Sequence, residues 1–519
     1  MTEQPGAGAV LIPIGGIRQR LDNDSPDYVF SPDTYLTLGL AYEAMASPAA
    51  VADADGVLQP DLTRMQPRMA VSWQEEEGGD WVVGLRPGMR SHSGHEWTAD
   101  DLVWVFEKAF ATGVMAAWRW QGVVGVESVT ALDRHRVRFA LRSPYPTFPN
   151  WLMSVSPNMV DATEIRSHVT AGDPWGVAWL DANVAGYGPY QLDEMTGERL
   201  VFTARPDYWG ADPGAARVEV ARWPDRPGAI SQLRERRPTI VVGTDPDETA
   251  ELLAADGIRL VRVWGGHVSV EIDFTRPPFD DVRVRRALAL ATPSEQIRAA
   301  GLHGMARPWR SPVKKPSQWY IDAAADDFDL RRARELLAAA GHADGISADL
   351  YIEAMPYCQR IAALMADAWQ QIGVQAEIRD VRQEPAGWLP PLFLRTECGH
   401  NVTEPVYDIA HDYAAMNPLL PLPGGPEHVG NWRPRWKKNP EALERFAAVL
   451  HAPDGATKRR LTEDLQRYLA AFQSSIFIAE MQQVVAANDR VPGVMISPQS
   501  RFLHALGYQN PTSGYLPAR

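Results

Sequence analysis

The sequence predicts an α/β chain of two or three domains, and three observations carry that reading. With 519 residues, the chain is too long for one hydrophobic core at roughly 150 residues per domain. From Leu85 to Ala111 the pattern switches from short extended runs, broken at Pro87-Gly88 and Ser93-Gly94, to helical spacing of Leu102, Val105, Phe106 and Ala109. Farther on, two segments run helix, glycine, strand, which is the grammar of an α/β sheet.

The elements follow in order. Residues 1 to about 45 open as a polar lead. Their apolar run from Ala9 to Ile14 is too short for the core of a signal peptide and no basic region precedes it, so no export signal is visible. The acid-rich segment LDNDSPDYVFSPD lacks the glycine of a calcium loop and has Pro26 at a ligand position, which leaves a solvated loop. Thr98 and Asp101 form a capping pair for the helix that follows. Val137, Phe139 and Leu141 alternate with Arg136, Arg138 and Arg142 in a half-buried strand, which the proline-rich SPYPTFP ends. Gly186 to Gly210 reads as a hairpin opened by glycines and closed by an aromatic plug, Tyr208 and Trp209.

Pro277 and Pro278 end an extended segment, after which Val284, Ala287, Leu288 and Ala291 mark a helix with Arg283 and Arg286 on its other face. Ala333, Leu336, Leu337 and Ala340 mark a helix stopped by Gly341. Ile361, Leu364, Met365, Ala368 and Ile372 mark another, stopped by Gly373, and Val374, Ala376 and Ile378 alternate as a strand behind it. Residues 384 to 439 read as irregular. Two amphipathic helices, ALERFAAVL and KRRLTEDLQRYLAAFQ, then lead to a buried strand, SSIFIAEMQQVVAAN.

Composition narrows the function. The formal charge of −14 is spread without single-sign runs, which argues against a nucleic-acid partner. Two cysteines, Cys358 and Cys398, exclude a disulfide-dense scaffold and a cysteine-rich metal site, leaving one disulfide or two thiols open. No run of 18 apolar residues is present, so no helix is predicted to span a membrane. Ser311 and Lys314 match a Ser-x-x-Lys pair without its companion motifs, and no phosphate-binding loop or Gly-x-Ser-x-Gly occurs. His92 and His95 have no nearby third metal ligand except Glu96, so His92 is expected in a turn and His95 at the surface. No enzyme activity, cofactor or metal is predicted.

Three phrases, in order, resemble the solute-binding proteins of ABC importers in extracellular solute-binding protein family 5, the oligopeptide and dipeptide binders. The first comprises Pro67, Ala70, Ser72, Trp73, Leu85, Arg86, Gly88, His92, Gly94, Thr98, Ala99, Asp100 and Asp101, with Ser91 in place of the usual aromatic and Ser93 in place of the usual Asp or Asn. The second comprises Gly186, Gly188, Pro189, Tyr190, Pro206, Tyr208, Trp209 and Gly210, with Arg205 in place of Asn. The third is the proline-to-helix stretch 272 to 291, in which Thr292-Pro293-Ser294 replaces the usual continuation and shifts the helix boundary. Tyr42, Glu43 and Met45 match a further family segment.

The resemblance implies a two-lobed periplasmic-binding-protein fold, type II and of the large cluster C type. Lobe I would take residues 1–45, 181–264 and 480–519, with an appended domain at 46–180, and lobe II residues 265–479. Hinge crossings would lie near Trp264 to His267 and Glu480 to Val485. Function would be capture of a peptide or peptide-like solute in the cleft between lobes by a monomer outside the cytoplasmic membrane, with delivery to ABC permease subunits. The alternatives are a cytoplasmic family member acting as a ligand sensor or biosynthetic accessory, and, more remotely, a hydrolase. In the family, a loop at the place of residues 398–418 lines the cleft, and an acid in it pairs with a peptide's ammonium. Here Asp408 and Asp412 compete for that role, as a desolvated ammonium requires a charge-assisted partner. Tyr407, His411, Tyr413, Trp388, Arg395 and Glu43 complete the candidate ligand contacts. Arg307 and Arg310 are either anchors for a carboxylate or phosphate, or ordinary surface arginines.

Overall fold

The structure, a computed structural model, describes residues 9–15, 17, 39–56, 58–112, 120–121, 124–153, 157–210, 213–313, 319–324, 328–353, 355–384, 390–397, 438–450, 452–491, 494–495 and 515–516. The chain divides into two compact units. The first takes residues 1–244, 251–263 and 484–519, and the second takes 245–250 and 264–483.

Two four-stranded sheets organise the first unit. One orders Val10–Ile14, Arg217–Arg222, Arg199–Ala204 and Tyr190–Met195, the first pair parallel and the others antiparallel. Val10–Ile14, weighed in the sequence only as an export signal, is thus a fully buried strand. The other sheet is antiparallel, in the order Ala70–Glu75, Trp81–Leu85, Arg136–Leu141 and Val126–Asp133. The helix Ala99–Thr112 packs on its last two strands. Its start follows the sequence, since the Thr98 amide and hydroxyl both donate to Asp101 Oδ2 at 2.8 Å.

The second unit is built on the strand order 264–272 (the second part of the strand Ile258–Ile272), Leu392–Glu397, Ile346–Ile352 and Val374–Asp380, the first pair antiparallel and the other two parallel. Leu392–Glu397 corrects the reading of 384 to 439 as irregular throughout. It lies between two strands, and Leu392, Phe393 and Leu394 are all buried. A strand covered on both faces carries no alternation for a sequence reading to detect. Trp369, Ile361, Met365 and Leu337 from the helices Pro356–Gln370 and Leu330–Ala339 join Val268, Val270 and Leu350 in one core.

The helix Val282–Leu290 is capped by Asp281, whose carboxylate accepts the Arg283 amide. Arg285 on this helix is 1% exposed. Its Nε donates to the Phe472 and Gln473 carbonyls, Nη2 to Phe472 at 2.6 Å, and Nη1 to Phe279 and Asp280. The guanidinium also lies 4.6 Å from the Phe472 ring centroid. Arg283 and Arg286 donate to the Ala339 and Ala471 carbonyls. Ala339 and Phe472 end the helices Leu330–Ala339 and Gly455–Phe472. Helix C-termini leave carbonyls unpaired and carry partial negative charge, so these arginines close two helix ends. Burial lowers the Arg285 pKa to about 10, with Asp281 and Asp280 opposing. Arg285→Met is expected to cost about 3 kcal/mol, because buried carbonyls lose their donors. Urea unfolding would measure the loss, and faster amide exchange across 282–290 would localise it.

Candidate functional site

The family-like phrases converge in the first unit. Glu43, buried, accepts Arg68 Nε on Oε1 at 3.1 Å and Arg68 Nη2 on Oε2 at 2.5 Å. The Tyr208 hydroxyl donates to the same Oε2 at 2.7 Å. Burial, and then the Glu43 charge, push the Tyr208 pKa well above the usual phenol value. Trp209 receives two guanidinium groups, Arg86 at 4.7 Å and Arg68 at 5.3 Å from its ring centroid. Arg86 Nε in turn donates to the Arg68 carbonyl at 2.7 Å. The aromatic plug expected from the sequence is therefore also a cation–π platform. Gly186 and Gly188 let it form, because a Cβ on Gly186 would meet the Ala41 carbonyl oxygen at 2.0 Å and one on Gly188 the Ala41 carbonyl carbon at 2.5 Å.

The turn at 91–95 is tied down from a distance. Ser91 Oγ donates to Asp161 Oδ2 at 2.5 Å, and His95 Nδ1 meets the same oxygen at 2.8 Å. Asp161 is fully buried, and its Oδ1 caps the short helix Ala162–Arg166 through the Glu164 amide. A serine, a histidine and an acid do meet here. In a nucleophilic triad, however, the hydroxyl gives its proton to the imidazole while the acid holds the other ring nitrogen. Here hydroxyl and imidazole share one carboxylate oxygen, which is a structural tie. His95, expected at the surface, keeps 42% of its side-chain exposure while reaching this buried acid.

His92 pairs with the hairpin: its amide donates to the Gly186 carbonyl at 3.0 Å, and its Nδ1 accepts the Gly186 amide at 3.4 Å. Arg205 donates to the Arg90, Ser91 and Gly188 carbonyls and to Asp207. The arginine that replaces the family's Asn thus clamps the turn whose aromatic is replaced by Ser91. Among the described residues, no group of three His, Cys, Asp or Glu could hold a metal ion.

In the second unit, Arg307 is not an isolated surface arginine. Its Nε donates to Glu480 Oε2 at 2.5 Å, and its guanidinium lies 4.4 Å from the Trp264 ring centroid. Ser311 is fully buried and gives its hydroxyl to Gln466 Oε1 at 2.6 Å, the bond of a loop anchor. Lys314 lies outside the described residues.

Of the candidate ligand contacts, Asp408, Asp412, Tyr413, Tyr407, His411 and Trp388 lie outside the described residues. Arg395 stands on the strand Leu392–Glu397, opposite Ser269. Glu43 is placed in the ion-paired knot above. Cys358 is a buried thiol, with its Sγ 3.6 Å from Thr396 Oγ1, and Cys398 lies outside the described residues. Among the described residues, no helix is long and apolar enough to cross a membrane.

Comparison with known proteins gives these positions a context. The family described as bacterial extracellular solute-binding proteins, family 5 Middle, matches residues 64–413. The chain is 26% identical over 377 residues to the dipeptide-binding protein of Escherichia coli strain K12, covering 67% of this chain and 69% of the relative. It is 25% identical over 341 residues to heme-binding protein A of Haemophilus influenzae, covering 60% of this chain and 61% of that one. Among solved structures, an ABC transporter-associated periplasmic binding protein from Helicobacter pylori, in complex with the peptide STSA, superposes with a TM-score of 0.73 at 16% identity, covering 99% of this chain and 98% of that one. The superposition shows the fold to be that of the two-lobed periplasmic binding proteins. With the family match extending over more than half of its length, the chain belongs to the bacterial extracellular solute-binding proteins of family 5.

Proposed function

We propose that this protein is the substrate-binding component of an ABC importer, taking up a short peptide or peptide-like solute by hinge closure and delivering it to permease subunits as a periplasmic or cell-surface monomer. It acts by binding and performs no chemistry on its cargo. The observation that carries this reading is the family match over residues 64–413, which includes both candidate acids of the 398–418 loop. A relative named as a dipeptide-binding protein and a structural neighbour holding a peptide support the cargo class.

In this reading Asp408 or Asp412 meets the cargo ammonium, with Tyr407, His411, Tyr413, Trp388 and Arg395 around it. Native mass spectrometry of protein purified from its own host, followed by denaturation, should release a peptide. Asp408→Ala combined with Asp412→Ala should weaken peptide binding by roughly tenfold to a hundredfold, the value of one charge-assisted bond. Unchanged affinity in the double variant would remove the peptide assignment.

A further inference from the structure

We propose that Glu271 holds an alkali cation, sodium or potassium, inside the second unit, together with the hydroxyl oxygens of Ser269 and Ser475. The inference is independent of the cargo reading above. Among the described residues, the buried acids set Glu271 apart. Glu43, Glu219, Asp273 and Glu480 face Arg68, Arg237, Arg276 and Arg307 in turn. Asp161 meets His95, and Asp101 takes the backbone amides of Thr98 and Ala162. Glu271 is 7% exposed, and its partners are two hydroxyls. Ser269 Oγ donates to Oε1 at 3.0 Å and Ser475 Oγ to Oε2 at 2.7 Å, both serines being buried themselves. A carboxylate withdrawn from water is ordinarily paired with a cation or bound to a metal, because neutral donors do not return the lost hydration of a full charge.

The sheet explains why no side chain of the unit supplies that cation. On the strand Ile258–Ile272, Val268, Val270 and Ile272 enter the core, so the alternate residues Ser269 and Glu271 lie on the other face. On the neighbouring strand Phe393 stands opposite Glu271 and brings no polar side-chain atom. The nearest arginine in sequence, Arg276, is taken by Asp273. Two carboxylate and two hydroxyl oxygens form the donor set of a hard cation, and each hydroxyl keeps lone pairs after giving its hydrogen. One carboxylate carries one negative charge, so a monovalent ion leaves the site neutral, whereas calcium or magnesium would leave a buried positive charge. With a single carboxylate, the site is also unlike the clusters of His, Cys, Asp or Glu that hold transition metals. Ser475 begins the strand Ser475–Asn488, the neighbour of Ile258–Ile272 on its other side, so the ion ties two adjacent strands together.

The test follows thermal unfolding of the intact protein in sodium chloride, potassium chloride or choline chloride at equal ionic strength, choline being too large for the site. Above the choline baseline, wild type is expected to gain about 3 °C for each tenfold rise in sodium or potassium once the site is filled. The ion that gives the gain at the lower concentration is the one the site selects. Glu271→Gln should follow the choline curve in every salt, and Ser475→Ala should need more cation for the same gain. A second readout does not depend on stability: folded wild type should broaden the sodium NMR line, and folded Glu271→Gln should not. Wild-type curves that coincide in all three salts, or a Glu271→Gln protein that keeps the wild-type response, would overturn the proposal and leave Glu271 held by its two serines alone. A larger gain in dilute calcium chloride, lost in Glu271→Gln, would overturn the assignment to a monovalent ion.

Discussion

Glu43→Ala is expected to destabilise the protein by about 4 kcal/mol, near the loss seen when one partner is removed from a buried ion pair. The carboxylate is 6% exposed and Arg68 is 8% exposed, so neither charge has much access to water. Removing Glu43 takes the carboxylate away from the buried Arg68 guanidinium beside Tyr208 and Trp209, and from the Tyr208 hydroxyl that donates to it. Glu43→Gln, which keeps an acceptor oxygen and the side-chain volume, should lose about half as much. Glu43→Leu combined with Arg68→Met should recover most of the loss, because apolar side chains can replace a buried pair once both charges are gone. Urea unfolding of the single and double variants closes the cycle, and a Glu43→Ala loss under about 1 kcal/mol would show the pair to be solvated. The same variants test Glu43 as a ligand contact. A folded Glu43→Gln protein that binds peptides as wild type does would assign the residue to the knot alone.

That knot also shows how far the sequence could be read. Tyr208 and Trp209 were legible as a plug, and Gly88 and Gly94 as turn glycines, since both adopt positive φ. The cap at Thr98 and the stops at Gly341 and Gly373 were legible because they depend on neighbours a few residues away. What escaped was long-range. Asp161 lies 70 residues from Ser91, and Glu480 lies 173 from Arg307, so no local pattern announces either partner. Arg285 sits within an Arg-Arg pair on a helix whose other arginines face out. Besides the nearby Phe279 and Asp280 carbonyls, its burial depends on the carbonyls at the end of a helix about 187 residues away. Short apolar strands were lost for another reason. Val10–Ile14 and the apolar half of Leu392–Glu397, Leu392 to Leu394, are too brief and too uniformly apolar to show a period. The candidate cargo loop, 398 to 418, was singled out by its irregular composition and its acids, and most of the proposed contacts lie on it.

Acidification is expected to remove up to about 4 kcal/mol of stability through His92 alone. Loss of hydration, and after it the neighbouring Arg205 charge, bring its pKa down to about 3, while the Gly188 and Val184 carbonyls and the Asp207 carboxylate oppose only in part. The Gly186 amide donating to Nδ1 requires a ring that accepts at that nitrogen, so protonation there would also break the hairpin contact. In the folded protein the ring stays neutral down to about pH 3, whereas in the unfolded chain it takes up a proton near the ordinary value of about 6.5. Between those limits the unfolded state binds more protons, so stability rises with pH and is lost as pH falls. Above about 6.5 both states are neutral and the ring contributes no slope. Other groups titrate in the same window, among them Asp207, held low chiefly by Arg205, and Asp101, raised by burial. The informative quantity is therefore the difference between wild type and His92→Asn, whose amide oxygen can still accept the Gly186 amide but cannot gain a proton. Denaturant midpoints between pH 7.5 and about 4 should converge as pH falls, with wild type losing its advantage and then becoming the less stable of the two. Parallel curves across that range would mean that His92 titrates like an exposed histidine, and that the turn carrying the family signature opens to water in the folded state.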